Sequence, residues 1–369
     1  MKIQIKKEDM VKGLQTVQNA ISQKNTLPIL SNLLLETEQE NIKLTATDLD
    51  IGIISTIPCK IEEQGAITIP AKKLYDIVKE LPGSEYIDIS LKKNNVLYLD
   101  CGTSHFKIIC LPKDEFPEIP KIKEKDQIVI SKVNLKRLLS LTIFAVSKDE
   151  SRYILNGVLC IINQDTIEVV ATDGRRLAVS SCKLLENKDI DKQVIIPVKT
   201  LQEVYRIISD SENENDDIII LFGETQVFFK INKTTVITRL IEGDFPNYKN
   251  VIPKESGKKL SIPREALLSA TKRAALFTNQ DSLAVKFDIN KSKVIVSKNA
   301  PYIGEVKEEV SAEYNAEQVS IGFNPVYIMD VLKVLDEKNI VFEVNEEDKP
   351  VVVRIGKEYI YVVLPMQII

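Results

Sequence analysis

Ile69-Pro70-Ala71-Lys72-Lys73-Leu74-Tyr75-Asp76-Ile77-Val78 is a phrase that the chain uses three times. It returns 127 residues later as Ile196-Pro197-Val198-Lys199-Thr200-Leu201-Gln202-Glu203-Val204-Tyr205. After a further 127 it returns as Phe323-Asn324-Pro325-Val326-Tyr327-Ile328-Met329-Asp330-Val331-Leu332. Leu74, Leu201 and Ile328 are equivalent, as are Ile77, Val204 and Val331, and each triplet marks the buried face of a short helix that follows a strand. The 369 residues divide into three units of 123, each long enough to bury its own core. Three copies of one domain in a row point to a function carried by the assembled shape.

Outward from the phrase, each third reads as a strand, a helix, a set of strands, a second helix and further strands. Met10, Leu14, Val17 and Ile21 recur at helical spacing, while Ile42, Leu44 and Ala46 alternate with polar residues as a half-buried strand does. Helices are expected over 7–21, 71–81, 132–148, 198–209, 264–277 and 324–336. Two helices on one face of mainly antiparallel strands make each repeat an α+β domain. Proline and charge cluster at Pro117–Asp126 and Pro253–Lys259, which sets the expected domains at 1–122, 123–255 and 256–369.

Hydrophobic residues make up 44% and charged residues 28%, the balance of an ordinary globular protein. No apolar run approaches the roughly 18 residues of a membrane span, and Met1-Lys2-Ile3-Gln4-Ile5-Lys6 alternates like a strand rather than a signal peptide, so a cytosolic location is expected. The five cysteines, at 59, 101, 110, 160 and 182, form no CxxC pair and read as small buried residues. The sequence contains no GxxxxGK, GxGxxG, HExxH or GxSxG. The single histidine, His105, sits in an alternating strand with no nucleophile beside it, and the acidic run Ser211–Asp217 lacks the spacing of a calcium loop. No metal, cofactor or catalytic residue is expected.

Charge is unevenly spread. The six expected helices carry 15 basic and 8 acidic residues, whereas the whole chain has a net charge of −4. A layer containing Lys72, Lys73, Lys132, Lys136, Arg137, Lys199, Arg206, Lys272 and Arg273 would attract phosphates if it formed one surface. Lysine on exposed helices for solubility alone is the other reading.

The second repeat contains Val170-Ala171-Thr172-Asp173-Gly174-Arg175-Arg176-Leu177-Ala178, in which Asp-Gly is a tight-turn signal. Tyr153-Ile154-Leu155-Asn156-Gly157 lies upstream, Gly243-Asp244-Phe245-Pro246-Asn247-Tyr248 downstream, and the chain closes on Tyr361-Val362-Val363-Leu364-Pro365-Met366. With Thr26-Leu27-Pro28-Ile29-Leu30-Ser31-Asn32-Leu33 and Thr45-Ala46-Thr47-Asp48-Leu49 near the start, these motifs closely resemble the bacterial sliding clamps, the β subunits of DNA polymerase III, over the whole length.

The resemblance implies a head-to-tail homodimer in which six domains close a ring, helices lining the hole and sheets forming the rim. Duplex DNA would be held by topology and by exchangeable phosphate contacts without sequence choice. Lys24, Arg152 and Tyr153 join the helix cations as DNA-facing residues on this basis. The subunit contact would set Phe106 and Ile108 against Leu276 and Phe277; a core role for all four is the alternative. The resemblance further implies a pocket for peptides of the polymerase III α subunit, the clamp loader, other polymerases and repair proteins. Its residues would be Leu155, Thr172, Gly174, Arg175, Arg176, Leu177, Pro246, Val251, Asn324, Tyr327, Val352, Val362, Leu364, Pro365 and Met366, with the arginines and asparagine orienting peptide polar groups. Arg175 stands where histidine is frequent in the family, Gln367 where a basic residue is, and the chain runs on to Ile368-Ile369, which leaves the peptide preference open. A peptide scaffold that does not enclose DNA is the competing reading, with a nucleotide-handling enzyme more distant because no nucleophile, base or phosphate cradle can be named.

Overall fold

The computed structural model describes residues 1–21, 27–83, 86–92, 94–120, 126–186, 190–211, 213–254, 257–279 and 282–368. Among these the chain forms six α-helices: α1 (Lys7–Val17), α2 (Ala71–Glu80), α3 (Lys132–Thr142), α4 (Val198–Asp210), α5 (Arg264–Ala275) and α6 (Pro325–Val334). Each follows a strand, and α2, α4 and α6 fall at the three copies of the repeated phrase. Proline sets several starts: Pro70 and Pro263 precede α2 and α5, and Pro325 opens α6, where its missing N–H costs nothing. Asn324 caps α6, its side chain accepting from Val326 N at 3.0 Å. The first and third helices end earlier than the apolar spacing suggests and tighten into single 3₁₀ turns, Gln18–Ala20 and Ile143–Ala145. In α3 the Thr142 hydroxyl donates to Leu138 O at 2.7 Å, a back-bond that competes with helix continuation.

By compactness the described chain forms two units, Met1–Val133 with Lys199–Leu240, and Asn134–Val198 with Ile241–Ile369. The first contains a five-stranded sheet (Lys60–Glu63, Lys2–Lys6, Tyr86–Lys92, Val96–Cys101, Ser104–Ile109 in spatial order). It also contains an eight-stranded sheet (Asp126–Ser131, Asp217–Phe222, Gln226–Ile231, Thr234–Arg239, Ile51–Pro58, Asn41–Thr47, Asn32–Glu38, Ala66–Pro70). The second contains a nine-stranded sheet running Asp191–Pro197, Gly157–Asn163, Thr166–Thr172, Arg176–Lys183, Tyr359–Val363, Val351–Ile355, Asn339–Val344, Lys258–Pro263, Glu313–Tyr314. Its four-stranded sheet runs Gly304–Ser311, Lys293–Ala300, Val285–Ile289, Val319–Phe323. The strand pairs within all four sheets are antiparallel.

The compact units cut across the sequence repeats because two sheets continue from one repeat into the next. Thr234–Arg239 pairs with Ile51–Pro58, with Ile237 opposite Gly52. Arg176–Lys183 pairs with Tyr359–Val363, with Leu177 opposite Val362. Backbone amides thereby find partners across the joints, and each paired edge is removed from solvent.

The cores follow the sequence pattern. In α1, Met10, Leu14 and Val17 are buried, as are Ile42 and Leu44 on the sheet; full burial of such a side chain stabilises by about 1.5–3 kcal/mol. Gly13 lets α1 approach the sheet, since a Cβ there would lie 2.1 Å from Ile57 Cδ1.

Candidate functional site

The Asp173-Gly174 turn is built by its own side chains. Asp173 Oδ1 accepts from Arg175 N and Arg176 N at 2.9 and 3.0 Å, while the Thr172 hydroxyl accepts from Gly174 N at 3.0 Å and donates to Arg176 O at 2.5 Å. Gly174 has φ +85°, a conformation that glycine adopts without a Cβ clash. The turn delivers the strand Arg176–Lys183 to its partner Tyr359–Val363, and Leu364 N then donates to Arg175 O at 2.9 Å.

Arg176 is a structural centre. Its Nε donates to Asp173 Oδ2 at 3.1 Å, Nη1 to Asp330 Oδ2 at 2.8 Å and Nη2 to Phe144 O at 2.6 Å. Its guanidinium carbon lies 4.5 Å from the centre of the Tyr327 ring. Burial opposes the charge, but Tyr361, Asp330 and Asp173 outweigh it and hold the guanidinium above its ordinary pKa. Three of the five N–H groups of Arg176 are thereby spent inside the protein, in tension with the ligand-orienting role that the resemblance implies; Arg175, exposed on the turn, has no side-chain partner among the described residues.

Above this centre lies a cleft of about 550 Å³. Ten residues of the expected pocket line it together: Leu155, Thr172, Gly174, Arg175, Arg176, Leu177, Pro246, Val251, Val362 and Leu364. Leu177 and Val362 are buried and belong to a cluster with Leu159, Val170 and Ile195 that forms the floor. Val251 and Leu364 stay exposed at the rim.

Five expected residues sit elsewhere. Val352 lies inside the cluster under the floor, Asn324 is spent on capping α6, and Tyr327 stacks on Arg176. Pro365 and Met366 follow the rim residue Leu364; Met366 N donates to Gly322 O at 2.8 Å, which ties the tail to the strand Val319–Phe323. Two lining residues escaped the sequence reading, Asn247 and Tyr248. The Phe-Pro-Asn-Tyr motif held the clue, because buried Tyr248 needs a partner for its hydroxyl and finds one in Glu168. Burial first, and then this hydrogen bond, push the phenol pKa up.

The expected DNA-facing cations fall into two groups. Lys132 is buried, 4% exposed, and its Nζ donates to Ser211 O and Asn213 O at 2.7 Å each, satisfying carbonyls beyond the end of α4. It is a cap rather than a surface charge. Arg206 is held by Glu203, Asp210 and Thr16 O, Arg273 by both carboxylate oxygens of Glu308, and Lys199 by Asp48. Arg152 donates to Asp173 O at 3.0 Å, and the Tyr153 hydroxyl to Glu242 O at 2.5 Å, so both brace walls of the cleft. Lys72, Lys73, Lys136, Arg137 and Lys272 have no ion pair among the described residues. Lys24 lies outside the described residues.

At the expected subunit contact, Leu276 is 78% exposed just past α5, with Phe277 half-buried beside it. Exposed Tyr302 and Ile303 belong to the same surface, since Phe277 Cε1 lies 3.7 Å from where a Cβ on Gly304 would stand. On the edge strand Ser104–Ile109 the alternation differs from expectation by one residue. Ile108, opposite Leu97, turns inward and is 6% exposed, whereas Ile109 is 78% exposed. His105 is exposed, with Nδ1 2.7 Å from Asp100 Oδ1.

Helix-and-sheet repeats joined edge to edge, with an apolar cleft beside one joint, are the architecture of the clamp class. Models for the DNA polymerase III beta subunit match the chain in order: its N-terminal domain over residues 1–120, its central domain over 129–247 and its C-terminal domain over 249–367. The Beta sliding clamp of Pseudomonas aeruginosa is 32% identical over 371 residues, covering 100% of both chains. That of Staphylococcus aureus is 34% identical over 364 residues, 96% of this chain and 95% of the other. The solved sliding clamp from Bacillus subtilis superposes with a TM-score of 0.94 at 31% identity and full coverage of both chains. A griselimycin-bound clamp from Bartonella birtlesii gives 0.94 at 34% identity, again covering 100% of each. The chain belongs to the DNA polymerase III β-subunit family. That family is non-catalytic.

Proposed function

We propose that this protein is a DNA sliding clamp: two copies close head to tail around duplex DNA, and the cleft beside Leu177 tethers the polymerase and other replication and repair proteins by short peptides. The observation that carries the reading is the full-length correspondence to three β-subunit domains in order. The domain limits are taken as 1–122, 123–255 and 256–369. Lys72, Lys73, Lys136, Arg137 and Lys272 supply the phosphate contacts. Long flexible ammonium and guanidinium groups on helices neutralise phosphate without entering a groove, so each contact is sequence-independent and readily exchanged. Retention then comes from enclosure and movement from weak contacts.

The cleft serves the second half of the task. Its floor of Leu177 and Val362 desolvates an aliphatic or aromatic anchor, the rim residues Leu364 and Val251 close over it, and Arg175 is free to meet a peptide carboxylate or carbonyl. Arg176 holds the turn and lets the peptide bind a preformed surface.

The test is topological. Loaded onto nicked circular DNA, the protein should survive gel filtration at about 0.5 M salt, where phosphate contacts alone are screened, and should dissociate when the circle is linearised. Equal retention on both forms, or on neither, would refute the ring reading and leave the peptide scaffold.

A further inference from the structure

The first compact unit carries a second cleft, lined in part by Thr47, Asp50, Gly52, Glu118, Ile237 and Arg239. Its framework repeats that of the Leu177 cleft bond for bond. Asp48 Oδ1 accepts from Asp50 N and Ile51 N at 3.1 and 2.9 Å, as Asp173 does from Arg175 and Arg176. The Thr47 hydroxyl accepts from Leu49 N and donates to Ile51 O, as Thr172 does with Gly174 and Arg176. Leu49 has φ 79°, beside 85° for Gly174. Gly52 opposite Ile237 matches Leu177 opposite Val362, and Arg239 N donates to Asp50 O where Leu364 N donates to Arg175 O. Phe116-Pro117-Glu118-Ile119 stands for Phe245-Pro246-Asn247-Tyr248.

The side chains on this shared frame are different. Gly52 replaces the apolar floor residue Leu177, and Ile119 Cδ1 packs 3.5 Å from where its Cβ would be, so the floor is shallower and narrower. Asp50 replaces Arg175, Glu118 replaces Asn247 and Arg239 replaces Leu364. Asp48 is neutralised by Lys199, whereas Asp50, Glu118 and Arg239 have no ion pair among the described residues. The rim therefore carries two free carboxylates against one guanidinium, the reverse of the positive Arg175 rim.

We propose that this cleft is a second peptide-docking site, selective for an extended basic segment in which arginine or lysine alternates with small aliphatic side chains. The basic groups pair with Asp50 and Glu118, and the aliphatic ones rest on Leu49, Ile119 and Ile237. The inference rests on the peptide reading of the Leu177 cleft, because the shared frame is the reason to expect an extended backbone here.

The experiment uses the full chain labelled at isoleucine and leucine methyls, titrated with a capped hexapeptide alternating arginine and leucine and with its glutamate–leucine counterpart. The arginine peptide should shift Ile119 and Ile237 and lose at least tenfold in affinity in Asp50→Lys with Glu118→Lys. It should lose severalfold in the milder Asp50→Asn with Glu118→Gln and be unaffected by Leu364→Ala. Equal binding of the glutamate peptide, or affinity unchanged by both carboxylate pairs, would overturn the proposal. No response of Ile119 or Ile237 to the arginine peptide, with a leucine–phenylalanine peptide still bound and sensitive to Leu364→Ala, would overturn this site and leave the Leu177 cleft standing. Failure of every peptide at both clefts would remove both.

Discussion

Arg176 and Asp330 stand 154 residues apart in sequence and meet at 2.8 Å, with the aromatic rings of Tyr327 and Phe144 beside the guanidinium. The pair joins the turn under the cleft to helix α6. Removing Asp330 leaves a buried cation with less compensation, and breaking such a pair costs about 3–5 kcal/mol. Asp330→Ala should therefore lower the urea midpoint strongly, while Arg176→Met, which removes the charge and keeps volume, should cost less. Equal losses in the two variants would contradict this account of the ion cluster.

Leu177 and Leu364 belong to different strands of one sheet and its continuation, and line the same cleft. Truncation of either to Ala should weaken a peptide with leucine and phenylalanine anchors by about 1–3 kcal/mol, as for a desolvated hot spot. The double variant should lose less than the sum, because both touch one ligand. Fluorescence titration of the four proteins measures this directly.

The free cations should behave unlike the paired ones. Lys136→Glu with Arg137→Glu should leave the melting temperature near that of the parent and reduce the salt slope of DNA binding by roughly one unit for each phosphate that is no longer neutralised. Lys132→Ala should do the opposite, lowering stability by about 1–3 kcal/mol through unsatisfied carbonyls at the end of α4. A salt slope changed as much by Lys132→Ala would show that its burial is not maintained in solution.

The proposed subunit contact makes a test that distinguishes neighbours. Leu276→Asp and Ile109→Asp should each give a folded monomer by sedimentation, since an unpaired carboxylate buried in an interface costs several kcal/mol. Ile108→Asp should instead unfold the five-stranded sheet, because Ile108 faces its own core.

Burial pushes the Cys160 thiol up to about 12. The folded state thus keeps its proton in a range where the unfolded chain releases it, so the contribution is intact below the unfolded thiol pKa and declines as pH rises from about 8.5 toward 12. The slope is at most about 1.4 kcal/mol per pH unit for one thiol. Thermal melts from about pH 8 to 11, the window that this shift opens, should fall less steeply in Cys160→Val than in the parent.

Much of the fold was readable because its signals are local. The repeated phrase announces three of the helices, and apolar spacing gives the other three; the limits of α1 and α3 were overrun because a back-bonding Thr142 and a 3₁₀ turn leave no mark in hydropathy. The cleft's composition was readable only through motifs, since Leu155, Leu177, Val251 and Leu364 are unremarkable apolar residues until strand pairing gathers them. What sequence could not show was the use of each charge. Lys132 and Lys136 look alike in the primary structure, yet one caps a helix that ends at Asp210. Arg176 resembles a ligand-binding arginine until Asp330 arrives from the far end of the chain. Ile108 and Ile109 differ only by strand parity, which a one-residue slip reverses.

The strands Ser104–Ile109 and Gly304–Ser311 each pair on one side only among the described residues, and each lies beside exposed apolar side chains. Under the proposed head-to-tail reading, in which one edge meets the other on a second copy, such a chain carries a polymerisation hazard: copies that joined without closing would grow into filaments. Glu305 on the second edge and Lys107 on the first are exposed charges of the kind that oppose like-with-like strand pairing. Under that reading, a substitution at these edges that opened the ring without separating the copies would reveal itself first as turbidity rather than as monomer.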